Sequence, residues 1–185
     1  MGAAGLIEIK RRLKSVESTR KITKAMGLVA TSKLRKVRNE LANNEKYNEL
    51  CKDIVDVVVS NLPEGYESIY CTERKGDKLY IVLTSDTGLC GGYNNNVIAY
   101  LKEVLDNESG TEKIVLVGSK GLSYMSKYSL NTFNEYVSIP DIPTISEINK
   151  IYNEAIYLYK QGEVSEVNIV YTKFISPMKQ EPILI

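Results

Sequence analysis

The chain has 185 residues, a formal net charge of +1 and 43% hydrophobic residues, which describes one ordinary soluble domain or a smaller domain with an appendage. Having no histidine and no tryptophan, it excludes Ser/His/Asp triads, histidine-assisted proton transfer and histidine-containing metal sites. The three cysteines, Cys51, Cys71 and Cys90, form no CxxC pair and read as free thiols of a reducing compartment, and no segment approaches the ~20 apolar residues of a membrane span or resembles a signal peptide.

The near-neutral total conceals a split. Residues 1–50 carry 12 Lys/Arg against 5 Glu, a net of +7, and the remainder carries a net of −6. Such asymmetry marks the basic part as an interaction arm for an acidic partner. From Gly5 to about Ser60 there is no proline, and Gly27 is the only further glycine, so nothing breaks a helix of roughly 80 Å at ~1.5 Å per residue. A 3,4 spacing runs through Leu6, Ile9, Leu13, Val16, Arg20, Thr23, Gly27, Ala30, Leu34, Val37, Leu41, Asn44, Asn48, Cys51, Val55 and Val58. It predicts a coiled-coil seam with a small, polar middle. One helix cannot bury a seam, so the pattern calls for a second. A side stripe, Ile22, Met26 and Val29, adds apolar surface, while most of the basic residues lie off the seam.

Residues 61–77 are turn-rich and polar and are expected to be a linker between the shaft-like helix of residues 1–60 and a second domain of residues 78–185. In the latter the period changes. Short β-branched runs at 79–84, 113–117 and 167–174 predict buried strands, alternating with helical patterns at 96–105, 120–127 and 144–160. The last helix opens on the capping box Thr144-Ile-Ser-Glu147. The fold class expected is therefore α/β: a long N-terminal coiled-coil helix followed by a Rossmann-like αβα domain. A turn and one more extended segment complete it from Ser176 to Ile185.

In such a fold ligands bind beyond the carboxyl ends of the strands. The loop after the first strand, Ser85-Asp-Thr-Gly-Leu-Cys-Gly-Gly-Tyr-Asn94, has three glycines and an aspartate that could cradle a phosphate, yet it matches neither GxGxxG nor a P-loop. Gly118-Ser-Lys-Gly121 is a second glycine pair without a fingerprint. Tight strand-to-helix turns are the expected reading of both. Cys90 near a helix start lacks a base. Residue chemistry alone leaves two alternatives open: a nucleic-acid-binding protein with a basic arm, or a nucleotide-binding enzyme using Gly88 to Gly92.

Taken together, Ser18-Thr-Arg-Lys-Ile-Thr-Lys-Ala-Met26, Val29-Ala-Thr-Ser-Lys-Leu-Arg-Lys36, the Ser85–Asn94 loop and Gly118–Gly121 resemble the gamma subunits of F-type ATP synthases, from Ile7 to Pro182. The resemblance implies a central-stalk rotor shaft that transmits torque between a membrane c ring and a catalytic ring of alpha and beta subunits, with the Rossmann-like foot beside an epsilon subunit. It implies no bond chemistry, no cofactor or metal, and no nucleic acid. It places the chain peripherally at the cytoplasmic face of a bacterial membrane. The residues it suggests for contact with beta are Lys21, Lys24, Met26, Lys33, Arg35 and Lys36 on the helix and Asp86, Gly88, Leu89, Cys90, Gly91 and Gly92 in the loop. Two positions depart from the family pattern: Thr87 stands where Arg or Lys is common, and Gly27 where a larger residue is common. In the family the chain continues beyond this point into a second shaft helix that pairs with the first. The expectation is a fragment or a shortened gene, whose unpaired helix frays or self-associates when isolated.

Overall fold

The computed structural model describes residues 3–108 and 110–185. The chain divides into two compact units, Met1–Glu64 and Gly65–Ile185.

The first unit is built on one helix, α1 (Ala3–Ser60), of 58 residues, about 87 Å long at 1.5 Å per residue. From Gly5 onward every side chain on it is exposed except that of Cys51, which is half-buried. The seam residues are in the open, with Leu13 58% and Val16 65% exposed. Its polar middle is satisfied locally. Thr19, Thr23 and Thr31 donate their hydroxyls to the carbonyls of Ser15, Thr19 and Gly27 at 3.0, 2.9 and 2.8 Å, the back-bonding that lets threonine sit inside a helix. A Cβ at Gly27 would meet nothing within 4 Å. No described helix is long and apolar enough to cross a membrane.

The second unit is a five-stranded sheet in the order β3-β2-β1-β4-β5. Its elements are β1 (Lys78–Leu83), α2 (Tyr93–Asn107), β2 (Glu112–Val117), a 3-10 turn (Ser119–Gly121), α3 (Leu122–Lys127), β3 (Asn134–Tyr136), α4 (Ile145–Gln161), β4 (Glu166–Ser176) and β5 (Lys179–Leu184). The first four strands in space are parallel and β5 is antiparallel to β4. The side-chain alternation of the central strand sends Tyr80 and Val82 to one face and Leu79 and Ile81 to the other. Val97, Ile98 and Leu101 of α2 and Met125 of α3 cover the first face, and Ala155 and Leu158 of α4 cover the second. This three-layer arrangement is the α/β body expected from the alternating periods.

Two details differ from the sequence expectation or were absent from it, and the expected capping box forms. β3 is an edge strand of only three residues, Asn-Glu-Tyr, with no apolar run; its pairing to Val115–Val117 creates it. Residues 65–77 are held by the second unit. Arg74 donates to the Tyr159 carbonyl at 2.7 Å and lies over the Tyr159 ring, Tyr70 stacks on that ring, and the Tyr159 hydroxyl donates to the Ile69 carbonyl at 2.6 Å. At the start of α4, the Glu147 carboxylate accepts the Thr144 N–H and hydroxyl, both at 2.6 Å.

Candidate functional site

The residues singled out by sequence fall in two groups, one in each unit. On α1, Lys21, Lys24, Met26, Lys33, Arg35 and Lys36 are all exposed. A continuous helix turns about 100° per residue, so Lys10, Lys14, Lys21, Lys24, Arg35 and Lys46 fall within one arc of about 80°. Met26 and Lys33 lie together roughly 140–160° away from the centre of that arc, with Lys36 between. The helix therefore does not present the six residues to one surface: Lys21, Lys24 and Arg35 share a stripe, and Met26 does not stand beside them.

The second group lies where β1 ends. In a sheet of this order β2 and β3 are added on one side of β1 and β4 on the other, so the loop after β1 lies at the topological switch point. The approach is tight. Gly118 has φ 98°, and a Cβ there would sit 2.4 Å from the Thr84 carbonyl oxygen; a Cβ on Gly121 would sit 2.6 Å from the Thr84 hydroxyl oxygen. Thr84 in turn donates its hydroxyl to the Val117 carbonyl at 2.8 Å. Close packing of the β1 and β2 ends thus accounts for both glycines, and the nucleotide alternative gains no support from them.

Asp86 spans three loops. One carboxylate oxygen accepts the Ser119 N–H at 2.9 Å, from the loop after β2, and the other accepts the Ile139 N–H at 3.2 Å, beyond β3. Lys120 N–H donates to the Ser85 carbonyl at 2.9 Å. Partial burial pushes the Asp86 carboxyl up, but the N–H groups of Ser119 and Ser138, the Ser119 hydroxyl and the Ile139 N–H outweigh it and hold the group below the usual carboxylate range. Asp86 was expected to face a partner; its carboxylate is instead committed inside the domain.

Asn94, in the first turn of α2, is buried and works from the other side. Its Oδ1 accepts the Ser85 N–H at 2.9 Å, and its Nδ2 donates to Ser85 Oγ at 2.9 Å and to Cys90 Sγ at 3.3 Å. Ser85 Oγ also donates to the Thr87 carbonyl at 2.7 Å. Above this base the tip Thr87–Gly92 is exposed throughout. Leu89 is 90% exposed with φ 63°, and Gly91 has φ 60°.

Sequence reasoning missed Asn94, Ser119 and Ile139. Asn94 stood within the quoted loop motif, but nothing in its spelling separates a buried amide from an exposed one. A further cluster at the opposite ends of the strands was also missed. The buried Tyr80 hydroxyl donates to Glu108 at 2.7 Å, and Lys78 pairs with Glu108 at 2.8 Å and Glu166 at 3.2 Å. Lys78 and Tyr80 together hold the Glu108 carboxyl below its ordinary value, the Glu108 contact raises Lys78, and burial followed by that same contact raises Tyr80.

Comparison with known proteins identifies the family. A family model described as ATP synthase matches residues 5–185. An ATP synthase gamma chain from Clostridium botulinum is 55% identical over 183 residues, covering 98% of this chain and 65% of the relative. One from Clostridium beijerinckii is 52% identical over 182 residues, covering 98% and 64%. The chain thus spans a little under two thirds of the length of these curated relatives. In the central stalk and c ring of the Tetrahymena thermophila mitochondrial ATP synthase, a chain with 24% identity superposes with a TM-score of 0.63, over 89% of this chain and 70% of that one. At that identity the match speaks for the fold.

Proposed function

The chain belongs to the family of F-type ATP synthase gamma subunits, and from that premise we propose that it forms the first shaft helix and the foot of a rotary ATP synthase's central stalk. It carries torque between a membrane c ring and a catalytic alpha/beta ring and performs no bond chemistry of its own. The observation that carries this reading is α1: a 58-residue helix whose seam is exposed from Leu6 to Val58 apart from the half-buried Cys51. A lone helix in water derives most of its stability from packing, so a seam this long belongs against another helix. Beside it, the stripe of Lys21, Lys24 and Arg35 suits acidic loops of the beta subunits passing the turning shaft. Association with the cytoplasmic face of a bacterial membrane then comes through the complex, with the epsilon subunit beside the foot.

The test uses the full-length chain assembled with its partner subunits in vesicles. Reversal of the stripe in Lys21→Glu/Lys24→Glu/Arg35→Glu is expected to lower proton pumping per ATP hydrolysed, because like charges then face each other on every passage. Met26→Lys, on the far side of the helix, is expected to act separately from the stripe. Unchanged coupling in the triple variant would remove the electrostatic contact from the account.

A further inference from the structure

Residues 65–77 contribute no side chain to either face of the core: Tyr66 is 53% exposed, Ile69 41% and Tyr70 61%. A polar, turn-rich segment between two units ordinarily stays a flexible linker. This one is pinned, and chiefly by one residue. Tyr159, in the last turn of α4, takes contacts from three residues of the segment. Its hydroxyl donates to the Ile69 carbonyl at 2.6 Å, its ring stacks on Tyr70 at 6.0 Å between centroids, and its carbonyl accepts the Arg74 guanidinium at 2.7 Å. Arg74 also lies 5.2 Å over the same ring, and it brings a positive charge to the negative end of α4. The cap of that helix makes room for it. Gly162 has φ 76°, and a Cβ there would come within 3.0 Å of Arg74 Nη2. A second pin holds the end of the segment, where Ser165 N–H donates to the Asp77 carbonyl at 2.8 Å and Ser165 Oγ to the Gly76 carbonyl at 3.1 Å.

The order of these pins along the chain decides what they can do. Whatever α1 passes on along the backbone reaches Ile69, Tyr70 and Arg74 first, Gly76 and Asp77 next, and Lys78, the first residue of the central strand, last. Without the upstream pin, tension would arrive at the end of β1, where ladder hydrogen bonds open one after another. At Tyr159 a hydrogen bond, a charge-assisted hydrogen bond and a ring stack share it, and α4 spreads it into the core through Ala155 and Leu158. We propose that Tyr159 and Arg74 are positioning residues for torque transfer: they clamp residues 65–77 to the C-terminal end of α4, so that load from the shaft helix enters the foot through α4 instead of through β1. This rests on the stalk reading above and goes beyond it in assigning the load path to named residues. A rotor needs such a clamp where a simple tether does not, because a freed segment of flexible chain would let the foot turn before the helix followed.

The experiment uses the full-length chain assembled with its partner subunits. The ring is fixed to a surface, the rotor is stalled with ADP, and the angular fluctuation of a bead on the foot is recorded; hydrogen exchange on the same complex reports on the segment. Tyr159→Phe/Arg74→Ala removes the hydroxyl and the guanidinium while keeping the ring that packs against the core. Exchange at the Cys71 and Thr72 amides, which both donate to the Ser68 carbonyl, should quicken about ten- to a hundredfold, with the Ser165, Tyr80 and Val82 amides unchanged. The angular variance should rise about twofold or more, because the released segment adds its compliance in series. Arg74→Lys, which keeps the charge at the helix end, should fall between. Faster exchange with unchanged variance would overturn the load path and leave only a local contact, and unchanged exchange would overturn the clamp itself. A rise in variance accompanied by faster exchange at Tyr80 and Val82 would mean general loosening of the sheet and would overturn it as well. Failure of the unsubstituted full-length chain to join the ring would instead overturn the stalk reading.

Discussion

Gly118→Ala puts the structural account of the glycine pair at risk most directly. The new Cβ would lie 2.4 Å from the Thr84 carbonyl oxygen, 2.6 Å from its carbonyl carbon and 2.9 Å from its hydroxyl oxygen. Two of these are backbone atoms that cannot rotate away. They are also fixed in place, because Thr84 N–H donates to the Val117 carbonyl at 2.7 Å and Gly118 N–H to the Tyr136 carbonyl at 2.8 Å. Relief therefore requires β1 and β2 to separate at their carboxyl ends by about 1 Å, an overpacking cost of about 1–3 kcal/mol, on top of roughly 1–2 kcal/mol for an alanine at φ 98°. For a unit of this size a total of about 2–5 kcal/mol lowers the melting temperature by about 6–20 °C. Thermal unfolding of the full chain followed by tyrosine fluorescence reads this out, since α1 has Tyr47 alone and the second unit holds the other tyrosines. Gly121→Ala is the control. The atoms nearest its Cβ would belong to the side chains of Thr84 and Leu116 and to no backbone, and the cost should be smaller. If Gly118→Ala melted within 3 °C of the unsubstituted chain, roughly the effect of 1 kcal/mol, the packing explanation would be wrong and a ligand role for the glycine would reopen.

Two further outcomes follow from the structure. Gly27→Ala, where the added methyl meets nothing within 4 Å, is expected to stabilise α1 by up to about 1 kcal/mol and raise its helical circular dichroism signal; a loss of signal would count against an unobstructed helix. Glu108→Gln is expected to destabilise the second unit by about 1 kcal/mol near pH 7, discounted because Lys78 and Glu108 are each about a third exposed. The folded Glu108 carboxyl titrates below its unfolded value, so its contribution is complete above the unfolded value and is lost as pH falls through the folded one. The gap between denaturant melts of the two proteins should therefore be constant near neutrality, begin to close below about pH 4 and vanish in stronger acid; a gap that persists there would assign the effect to packing.

Much of the architecture is local and so was legible residue by residue. The absence of proline and the 3,4 spacing specify α1, and β-branched runs specify β1, β2 and β4, because period and propensity act within a few residues. Thr144 and Glu147 mark the start of α4 for the same reason. The gamma-family resemblance likewise rested on contiguous motifs.

What tertiary structure decided joins residues far apart in the chain. Asp86 looked like part of a surface loop, yet its hydrogen bonds reach 33 and 53 positions onward, to Ser119 and Ile139. β3 exists only because β2 offers its free edge, and Gly118 is required only because Thr84 arrives beside it. Sequence alone therefore determined a long basic helix, an α/β body and the family they belong to. The fold decided which side of the Ser85–Asn94 loop turns inward to be held and which side, with Leu89 at its tip, stands exposed, since that choice depends on hydrogen-bond donors that only the assembled sheet brings within reach.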